Sequence, residues 1–370
     1  MADSTRSLPA YVAGNRLNAL VVFLVIAVLL RAIGANDVLV FAASALAVLP
    51  LAGLIGSATE QVARYAGPGL GGFLNATFGN AAELIIAVLA LREGLTEVVK
   101  ASLTGSLLGN LLLVLGLSMV VGGWGRDRQT FNRTHAGASA GLLLLTVAAL
   151  LMPDIYAETL SGFQPLQAPS ILSISVLVAI VMLVAYVASL VFSLRTHRPL
   201  IGTTHDEMAQ PELSSRDAVL LLLVATALTS VAAEVLVGSI EHTATAIGLS
   251  DLFVGAVVVA IVGNAAEHFS AVVFARRDHM DLSVGIALGS AAQVGLLVAP
   301  IAVLVSLMLG HPLVLVFDHF ELGAMLFAVL GVSFLSLDGE SNWFEGVLLL
   351  AIYMVICIIF FYVPSTSVSP

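Results

Sequence analysis

Charged residues and cysteine are both scarce in this 370-residue chain, and each scarcity argues against a class of protein. Only 10% of the residues are charged, and 14 lysines and arginines stand against 24 acidic residues. Because no basic patch is present to follow a nucleic-acid backbone, the sequence argues against nucleic acid as a partner. The single cysteine, Cys357, excludes an intrachain disulfide. No histidines and cysteines are grouped at zinc spacing, so soft-metal chemistry is not indicated.

Apolar residues, by contrast, dominate the chain. They make up 59% of it, and the mean hydropathy of +1.06 is far above that of soluble globular domains. The apolar runs lack the alternation typical of strands, and a helix needs about 20 residues to cross a bilayer. We therefore predict an all-α polytopic membrane protein with about eleven transmembrane helices, at residues 17–33, 38–55, 70–91, 98–122, 137–152, 171–194, 218–240, 252–275, 282–309, 322–335 and 344–363.

The basic residues test this arrangement, because cytoplasmic loops are enriched in lysine and arginine. Three of the 14 basic residues, Arg31, Arg92 and Lys100, fall on one side of the predicted spans. The other eleven fall on the side of the N-terminus: Arg6, Arg16, Arg64, Arg126, Arg128, Arg133, Arg195, Arg198, Arg216, Arg276 and Arg277. The sequence therefore predicts a cytoplasmic N-terminus and a C-terminus on the opposite side.

One five-residue sequence, Gly-Asn-Ala-Ala-Glu, occurs twice. It occupies positions 79–83 and recurs 184 residues later (263 minus 79) at positions 263–267. The same offset carries Gly105-Ser106 onto Gly289-Ser290, so a pair of helices is duplicated. From the span that holds the first copy to the span that holds the second is five steps, an odd number, so the two copies cross the membrane in opposite directions. This predicts an inverted repeat.

The repeat divides the chain into a peripheral N-terminal helix and two inverted five-helix halves. We predict the extra helix at 1–36, the first repeat at 37–200, an acidic cytoplasmic linker at 201–217 and the second repeat at 218–370. Inverted halves of this kind exchange conformations and open a central site to each side in turn. We interpret the linker as a solvated connection, and a cation-attracting or regulatory role is the alternative.

Each copy of the motif places a carboxylate inside an apolar span, where an ionised group is costly unless it is paired, hydrated or functional. Residues three or four apart on a helix share a face. The motif thus groups a carboxylate, an amide oxygen and a glycine that lets the backbone approach, and such oxygen ligands suit a hard divalent cation such as Ca²⁺. We predict a shared cation site formed by Gly79, Asn80, Glu83, Gly263, Asn264 and Glu267.

The second helix of each pair supplies predicted pathway residues, namely Ser106, Asn110, Ser290 and Gln293. Helix packing is the alternative role for them, and the neighbouring Gly105, Gly109, Gly285 and Gly289 have the small-residue spacing that permits close approach. Glu60 and Glu234, late in the first helix of each half, are candidate gate or proton-path residues or interfacial carboxylates. His268 follows Glu267 and is a candidate proton shuttle, with packing as its alternative.

Two carboxylates in one dehydrated cavity cannot both stay ionised cheaply, so either a divalent cation or protons must neutralise them. Only the neutral, loaded forms are then expected to cross between the two orientations, so the sequence predicts an antiporter of cation against protons.

The paired motifs resemble those of the cation/proton exchanger branch of the calcium/cation antiporter superfamily. The resemblance rests on GNAAELI at 79–85 and GNAAEHFSAV at 263–272, and on GSLLGNLLLVLG at 105–116 and GSAAQVGLLVAP at 289–300. It covers essentially the whole chain. It implies that Glu83 and Glu267 bind the cation and accept the protons, and that Asn80, Asn264, Ser106, Ser290 and Gln293 line the pathway. The linker of this chain departs from the family pattern, because it has only a few acidic residues in place of a long acidic run.

We therefore expect a secondary transporter and not an enzyme, with Ca²⁺ and H⁺ as substrates, the lipid bilayer as its setting and no cofactor. A sodium-coupled exchanger, or one that moves Mn²⁺ or another divalent ion, is the nearest alternative. A cation channel is the alternative from another class. A homo-oligomer is compatible with the sequence. The expected location is a prokaryotic inner membrane, and a vacuolar-type membrane is the alternative.

Overall fold

Helices account for nearly all of the computed structural model, which describes residues 6–161, 168–196 and 210–363. Fifteen α-helices are numbered here in chain order within those ranges. They are α1 (Leu8–Ala13), α2 (Val22–Ala32), α3 (Asp37–Phe78), α4 (Ala81–Arg92), α5 (Thr96–Leu108), α6 (Leu115–Gly123), α7 (Arg133–Ser161), α8 (Ala168–Val191), α9 (Ser215–Ile247), α10 (Asp251–Phe253), α11 (Ala260–Arg276), α12 (Met280–Gln293), α13 (Ala299–Leu309), α14 (His319–Leu335) and α15 (Trp343–Tyr362). The all-α prediction is confirmed.

Among the described residues, seven helices are long and apolar enough to cross a membrane, or nine if each of two bent helix pairs forms one span. These nine coincide with nine of the predicted spans. The two remaining predictions fall on shorter helices. The first covers a 3₁₀-helix at Arg16–Val21 followed by α2, and the tenth covers the 17-residue α14. The number eleven therefore stays a prediction.

Wide π-helical turns interrupt the helices at four places among the described residues: Gly109–Val114, Phe192–Thr196, Val254–Val259 and Val294–Val298. Shifting Gly109–Val114 by the 184-residue offset of the repeat gives 293–298, which contains the last π segment, Val294–Val298. The duplication therefore extends from the sequence to the local backbone conformation. Such turns are rare in proteins and are frequent at functional sites.

Inter-residue contacts divide the chain into two compact units. Unit 1 consists of Met1–Leu89, Leu190–Gly248 and Val262–Ala266. Its core forms where α3 packs along α9 and α2, and Ala27, Val40, Ala43 and Val235 form one buried cluster there. Residues from both halves of the sequence contribute to this unit. The predicted repeat boundaries are a division of another kind, and they stay a prediction.

Unit 2 consists of Ala90–Ser189, Leu249–Ile261 and Glu267–Pro370. Within it, α5 packs against the π segment Val254–Val259, α6 against α15, and α7 against α12 and α14. A two-residue antiparallel ribbon joins Gln129–Thr130 to Glu340–Ser341, with Gln129 opposite Ser341. Most of the predicted pathway residues lie in this unit.

The predicted linker is only partly described, because residues 201–209 lie outside the described ranges. Its remaining part is fixed to α3. The side-chain oxygen of Gln61 accepts hydrogen bonds from the backbone amides of Glu212 (2.8 Å) and Leu213 (3.3 Å), and the Tyr65 hydroxyl donates to the Leu213 carbonyl at 2.6 Å. Glu212 also forms an ion pair with Arg6. This end of the linker is therefore a docked segment and not a freely solvated one.

Candidate functional site

The first motif copy lies where its span breaks. Helix α3 has a non-helical residue at Gly67, and the segment Leu70–Phe78 meets α4 at a bend of 44°. Gly79 and Asn80 form the turn between them, and the Asn80 carbonyl accepts the first α4 hydrogen bond, from Leu84, at 3.1 Å. The sequence predicted one continuous helical face here. The actual break places Asn80 before α4, so this apolar span is discontinuous, as are helices of many transporters.

Glu83 lies in the first turn of α4 and is only 9% exposed. The positive end of the helix dipole stabilises a carboxylate at this position, which lowers the cost of its burial. Asn80, three residues earlier in the sequence, is fully buried. The Glu83 Cγ lies 3.7 Å from the point that a Cβ on Gly263 would occupy, so within unit 1 this carboxylate side chain contacts the first residue of the second motif copy.

The second motif copy also lies at a bend. The π segment Val254–Val259 leads into α11, and Val254–Ala265 meets Glu267–Arg276 at 66°. Asn264 is 1% exposed, and Gly263 is buried. The two copies thus break their helices in different ways, by a turn in the first and by a bend after a wide turn in the second. In each copy, the glutamate follows the break.

A chain of hydrogen bonds fixes Glu267 within unit 2. The amide nitrogen of Asn110 donates to the Ser290 Oγ at 3.1 Å, and the Ser290 hydroxyl is hydrogen-bonded to the Glu267 carboxylate. Asn110 is fully buried, and Ser290 is 4% exposed. The other carboxylate oxygen of Glu267, Oε2, is buried and has no hydrogen-bond partner among the described residues. An oxygen held in this way is available to a cation or a proton.

Two other predicted pathway residues lie on the same pair of helices. Ser106 is 3% exposed on α5, and Gln293 is half-buried at the end of α12. The structure therefore brings Asn110 and Ser290 into direct contact and buries Ser106. Sequence spacing had grouped Asn110 with Ser106 and Ser290 with Gln293, and it did not predict the hydrogen bond between the two repeats.

His268 lies against the start of the π segment Gly109–Val114. The nearest atom to a Cβ placed on Gly109 is the His268 Cε1, at 3.8 Å, and the His268 Nε2 is buried without a hydrogen-bond partner among the described residues. This arrangement fits the packing interpretation of His268.

The four glycines near the pathway differ in how closely other atoms approach them. A Cβ on Gly105 would lie 1.9 Å from the Ala256 carbonyl oxygen, so α5 and the π segment Val254–Val259 are in backbone contact there. A Cβ on Gly285 would meet the His135 imidazole at 3.2 Å, whereas around Gly289 nothing lies within 4 Å. The prediction that neighbouring atoms approach these glycines closely is confirmed at Gly105 and Gly285. The same prediction is wrong for Gly289.

Glu60 and Glu234 lie on the exposed surface. The Arg64 guanidinium, one turn further along α3, forms an ion pair with Glu60 and also donates to the Gln210 carbonyl at 3.0 Å. The backbone carbonyl of Glu234 accepts a hydrogen bond from Arg31 at 3.1 Å. These positions resemble interfacial carboxylates. A role of Glu60 and Glu234 in gating or proton transfer stays a prediction.

A buried carboxylate that the sequence interpretation missed is Glu321, in the first turn of α14 and 3% exposed. Thr104 donates to it at 2.9 Å, and Glu321 accepts from the backbone amide of Asp318 at 3.0 Å. Asp318 in turn caps the helix, which completes a capping box. The signal was present, because Asp-x-x-Glu before an apolar run indicates a helix start. The residue stabilises the end of α14.

Comparison with known proteins extends these observations to nearly the whole chain. The sodium/calcium exchanger protein family matches residues 36–195 and 218–362. A Ca²⁺/H⁺ antiporter of Synechocystis is 43% identical over 350 residues, covering 90% of this chain and 93% of that protein. The Ca²⁺/H⁺ antiporter ChaA of Bacillus subtilis is 44% identical over 326 residues, covering 87% and 91%. The solved structure of native YfkE superposes with a TM-score of 0.82 at 39% identity, covering 94% of this chain and all of that one.

Proposed function

The chain belongs to the sodium/calcium exchanger protein family, and on this basis we propose that it is a calcium/proton antiporter that exports Ca²⁺ from the cytoplasm in exchange for H⁺. It is a secondary active transporter and not an enzyme. Ca²⁺ and H⁺ are its transported substrates, and Glu83 and Glu267 are their shared ligands.

The observation that carries this proposal is the pair of motif glutamates, each placed just after a break in an apolar span. Helix breaks at membrane depth present backbone groups for ion binding. The Glu267 carboxylate is oriented by Ser290 and has a second, buried oxygen without a hydrogen bond, while Glu83 is buried against Gly263. Asn80 and Asn264 supply amide oxygens three residues before these glutamates, so the proposed donor set consists of oxygens, which suits Ca²⁺.

The exchange follows from the charges of these carboxylates. Buried glutamates are costly when ionised and alone, so they bind either Ca²⁺ or protons. Protons that enter down their gradient displace Ca²⁺ from the same oxygens, and Ca²⁺ displaces protons on the other side. Because the empty, doubly charged form is costly to move, the carrier changes orientation only when it is loaded. Because of this coupling, the proton gradient drives the export of Ca²⁺.

The membrane orientation rests on the distribution of arginines. Eleven of the 14 basic residues fall on the side of the N-terminus, which supports a cytoplasmic N-terminus. A prokaryotic inner membrane fits a chain similar to antiporters of Synechocystis and Bacillus subtilis, and a vacuolar-type membrane is the alternative. The second repeat, antiparallel to the first, then alternates access with it across this membrane.

Ion flux in everted membrane vesicles tests the proposal. An inward-directed Ca²⁺ flux should follow an imposed proton gradient, acidic inside, and persist without sodium. A flux that requires sodium would identify a sodium-coupled exchanger, and one that carries Mn²⁺ but not Ca²⁺ would identify another divalent-ion exchanger. Ca²⁺ movement only down its own gradient, with no uphill uptake when the proton gradient is imposed, would identify a channel and overturn the proposal.

A further inference from the structure

Glu321, the buried carboxylate at the start of α14, does more than cap its own helix. Its Oε2 accepts a hydrogen bond from the backbone amide of Asp318 at 3.0 Å, which belongs to the capping box. Its Oε1 accepts a second hydrogen bond, at 2.9 Å, from the hydroxyl of Thr104 on α5. Thr104 is fully buried, and it lies 217 residues from Glu321 in the chain. One oxygen of this carboxylate therefore serves α14, and the other ties α14 to α5.

A second tie joins the same two parts of the chain one turn earlier on α5. The Lys100 ammonium group donates to the carbonyl of Val316, in the segment just before α14, at 2.9 Å. Lys100 and Thr104 are four residues apart, so they lie on one face of α5. Two successive turns of that face are thus bound to residues 316–321.

These ties use charged groups in a place where such groups are costly. Glu321 is 3% exposed, and Lys100 is 8% exposed. The Lys100 charge attracts the Glu321 carboxylate, while Asp318 repels it. Apolar side chains of similar size often hold two helices together at least as well as buried charges do. A hydrogen bond, however, is satisfied only within a narrow range of distance and angle, so these ties select one rotation of α5 about its own axis.

A different face of α5 is packed against backbone. A Cβ on Gly255 would lie 2.7 Å from the Ala101 Cβ, beside the backbone contact already described at Gly105. Both contacts join α5 to the π segment Val254–Val259, which leads into α11 and Glu267. Helix α5 is therefore held between this π segment and the start of α14.

The residues that depend on the rotation of α5 lie further along it. Ser106 is two residues after Thr104, which places it about 200° around the helix, on the side away from the tie to α14. Asn110 lies in the π segment that continues α5, and its amide donates to Ser290 at 3.1 Å. A turn of α5 about its axis would move both side chains.

We propose that Glu321 and Thr104 are positioning residues for ion transport, an inference that rests on the calcium/proton antiporter proposed above. Neither belongs to the proposed cation ligands. Their hydrogen bond, supported by the Lys100 tie, holds α5 at the rotation that keeps Asn110 within reach of Ser290.

Hydrogen exchange of residues 104–114, measured by mass spectrometry on the purified full-length protein, tests this positioning without reference to the transported ion. Thr104→Val keeps the shape of the side chain but leaves the buried Oε1 of Glu321 without its donor, so exchange there should become about tenfold faster. Thr104→Ser keeps the hydroxyl and should retain the wild-type rate. Lys100→Met removes the other tie and should speed exchange in the same residues.

The matched control is Thr229→Val. Thr229 is also fully buried, but its hydroxyl donates within its own helix, to the Ala225 carbonyl at 2.7 Å. This variant should leave the exchange of residues 104–114 unchanged. Wild-type exchange in either Thr104→Val or Lys100→Met would overturn the inference, as would equal acceleration in Thr229→Val or in Thr104→Ser.

Initial rates of proton-driven Ca²⁺ uptake in proteoliposomes connect the position of α5 to transport. Thr104→Val should raise the half-saturating Ca²⁺ concentration by roughly 2- to 30-fold, the range for residues that act through others. In Ser290→Ala, where the contact with Asn110 is already lost, the same change should have a smaller effect, because residues of one network are not additive.

A full effect of Thr104→Val in the Ser290→Ala background would overturn the inference, and so would wild-type half-saturation in Thr104→Val alone. Wild-type protein without any proton-driven Ca²⁺ uptake would instead contradict the proposed function. The exchange rates would then still decide whether the hydrogen bond between Thr104 and Glu321 fixes α5.

Discussion

The Cγ of Glu83 lies 3.7 Å from the point where a Cβ on Gly263 would stand, which is ordinary van der Waals contact. The glycine of the second motif copy therefore borders the glutamate of the first. A methyl group fits there, but a larger side chain does not. The Ile86 side chain, 3.9 Å from the same point, closes the space further.

We expect Gly263→Ala to keep most of the proton-driven Ca²⁺ transport and Gly263→Leu to abolish it, because leucine would displace the Glu83 side chain. Initial rates of Ca²⁺ uptake in proteoliposomes, at equal protein content, give the measurement. Gel filtration of both variants controls for folding. Equal activity in the two variants would show that the Glu83 position is not critical.

Glutamine in place of the motif glutamates tests the proposed ligands directly. Glu83→Gln and Glu267→Gln preserve shape but remove the charge that Ca²⁺ and protons share, so each should abolish exchange while the protein still folds and inserts. Glu60→Gln changes a carboxylate that is exposed and paired with Arg64, and its effect should be milder. Near-normal transport in either motif variant would remove that residue from the ligand set.

The hydroxyl of Ser290 links Asn110 to Glu267, so Ser290→Ala should weaken Ca²⁺ binding. Loss of one hydrogen bond to a charged group costs about 1.5–3 kcal/mol, which corresponds to roughly 10-fold or more in the half-saturating Ca²⁺ concentration. Ser283→Ala is the matched control, because Ser283 is buried on the same helix and its hydroxyl has no hydrogen-bond partner among the described residues. An equal effect of both changes would contradict a specific role for Ser290.

Gly105 and Gly289 are equivalent in the sequence repeat but not in their surroundings. Gly105→Ala would bring a methyl group against the Ala256 carbonyl, whereas Gly289→Ala would fill open space. Overpacking costs typically 1–3 kcal/mol, so only the first variant should unfold at a clearly lower temperature in detergent. Each variant adds one methyl group, so the comparison isolates the effect of the surroundings. Similar unfolding temperatures for the two variants would contradict the close backbone contact at Gly105.

Hydrogen bonding to Glu158, together with the negative charges of Asp154 and Glu158, raises the pKa of His319 above its ordinary 6.5. While Glu158 is ionised, the stabilisation from this ion pair is therefore fully present below pH 6.5 and is lost as the pH rises through the raised pKa of His319. Glu158→Gln should lower this pKa. Histidine NMR titration in detergent measures it, with the His319→Ala spectrum assigning the signal. An unchanged pKa in Glu158→Gln would show that the pair does not form in solution.

Sequence patterns predicted most of the spans and the glutamates at their centre, because burial in lipid demands long apolar runs and makes an exception such as Glu83 conspicuous. They predicted the helix break at Gly79 and Asn80 less well, since the motif letters alone do not show whether a glycine opens the backbone or merely packs. The different surroundings of Gly105 and Gly289 could not be predicted for a related reason. Identical residues at equivalent positions of the repeat contact different neighbours.

The hydrogen bond from Asn110 to Ser290 shows a second limit of prediction from sequence. Helical periodicity relates residues on one helix, and it says little across a π segment, where the hydrogen bonds skip an extra residue. Asn110 lies in such a segment. Its counterpart under the 184-residue offset is Val294, so the repeat itself gives no hint of the amide. Only the packing of helices against one another reveals that partner.

The π-helical segments Gly109–Val114 and Val294–Val298 also have a mechanical consequence. Each contains one residue more than an α-helical turn would hold. Passing that surplus residue to the adjoining turn would rotate the side chains between by about 100°, while nearly every backbone hydrogen bond is remade. Such a shift would therefore turn the side chains at matching points of the two halves, Asn110 among them in the first half, without unwinding the helices that hold them.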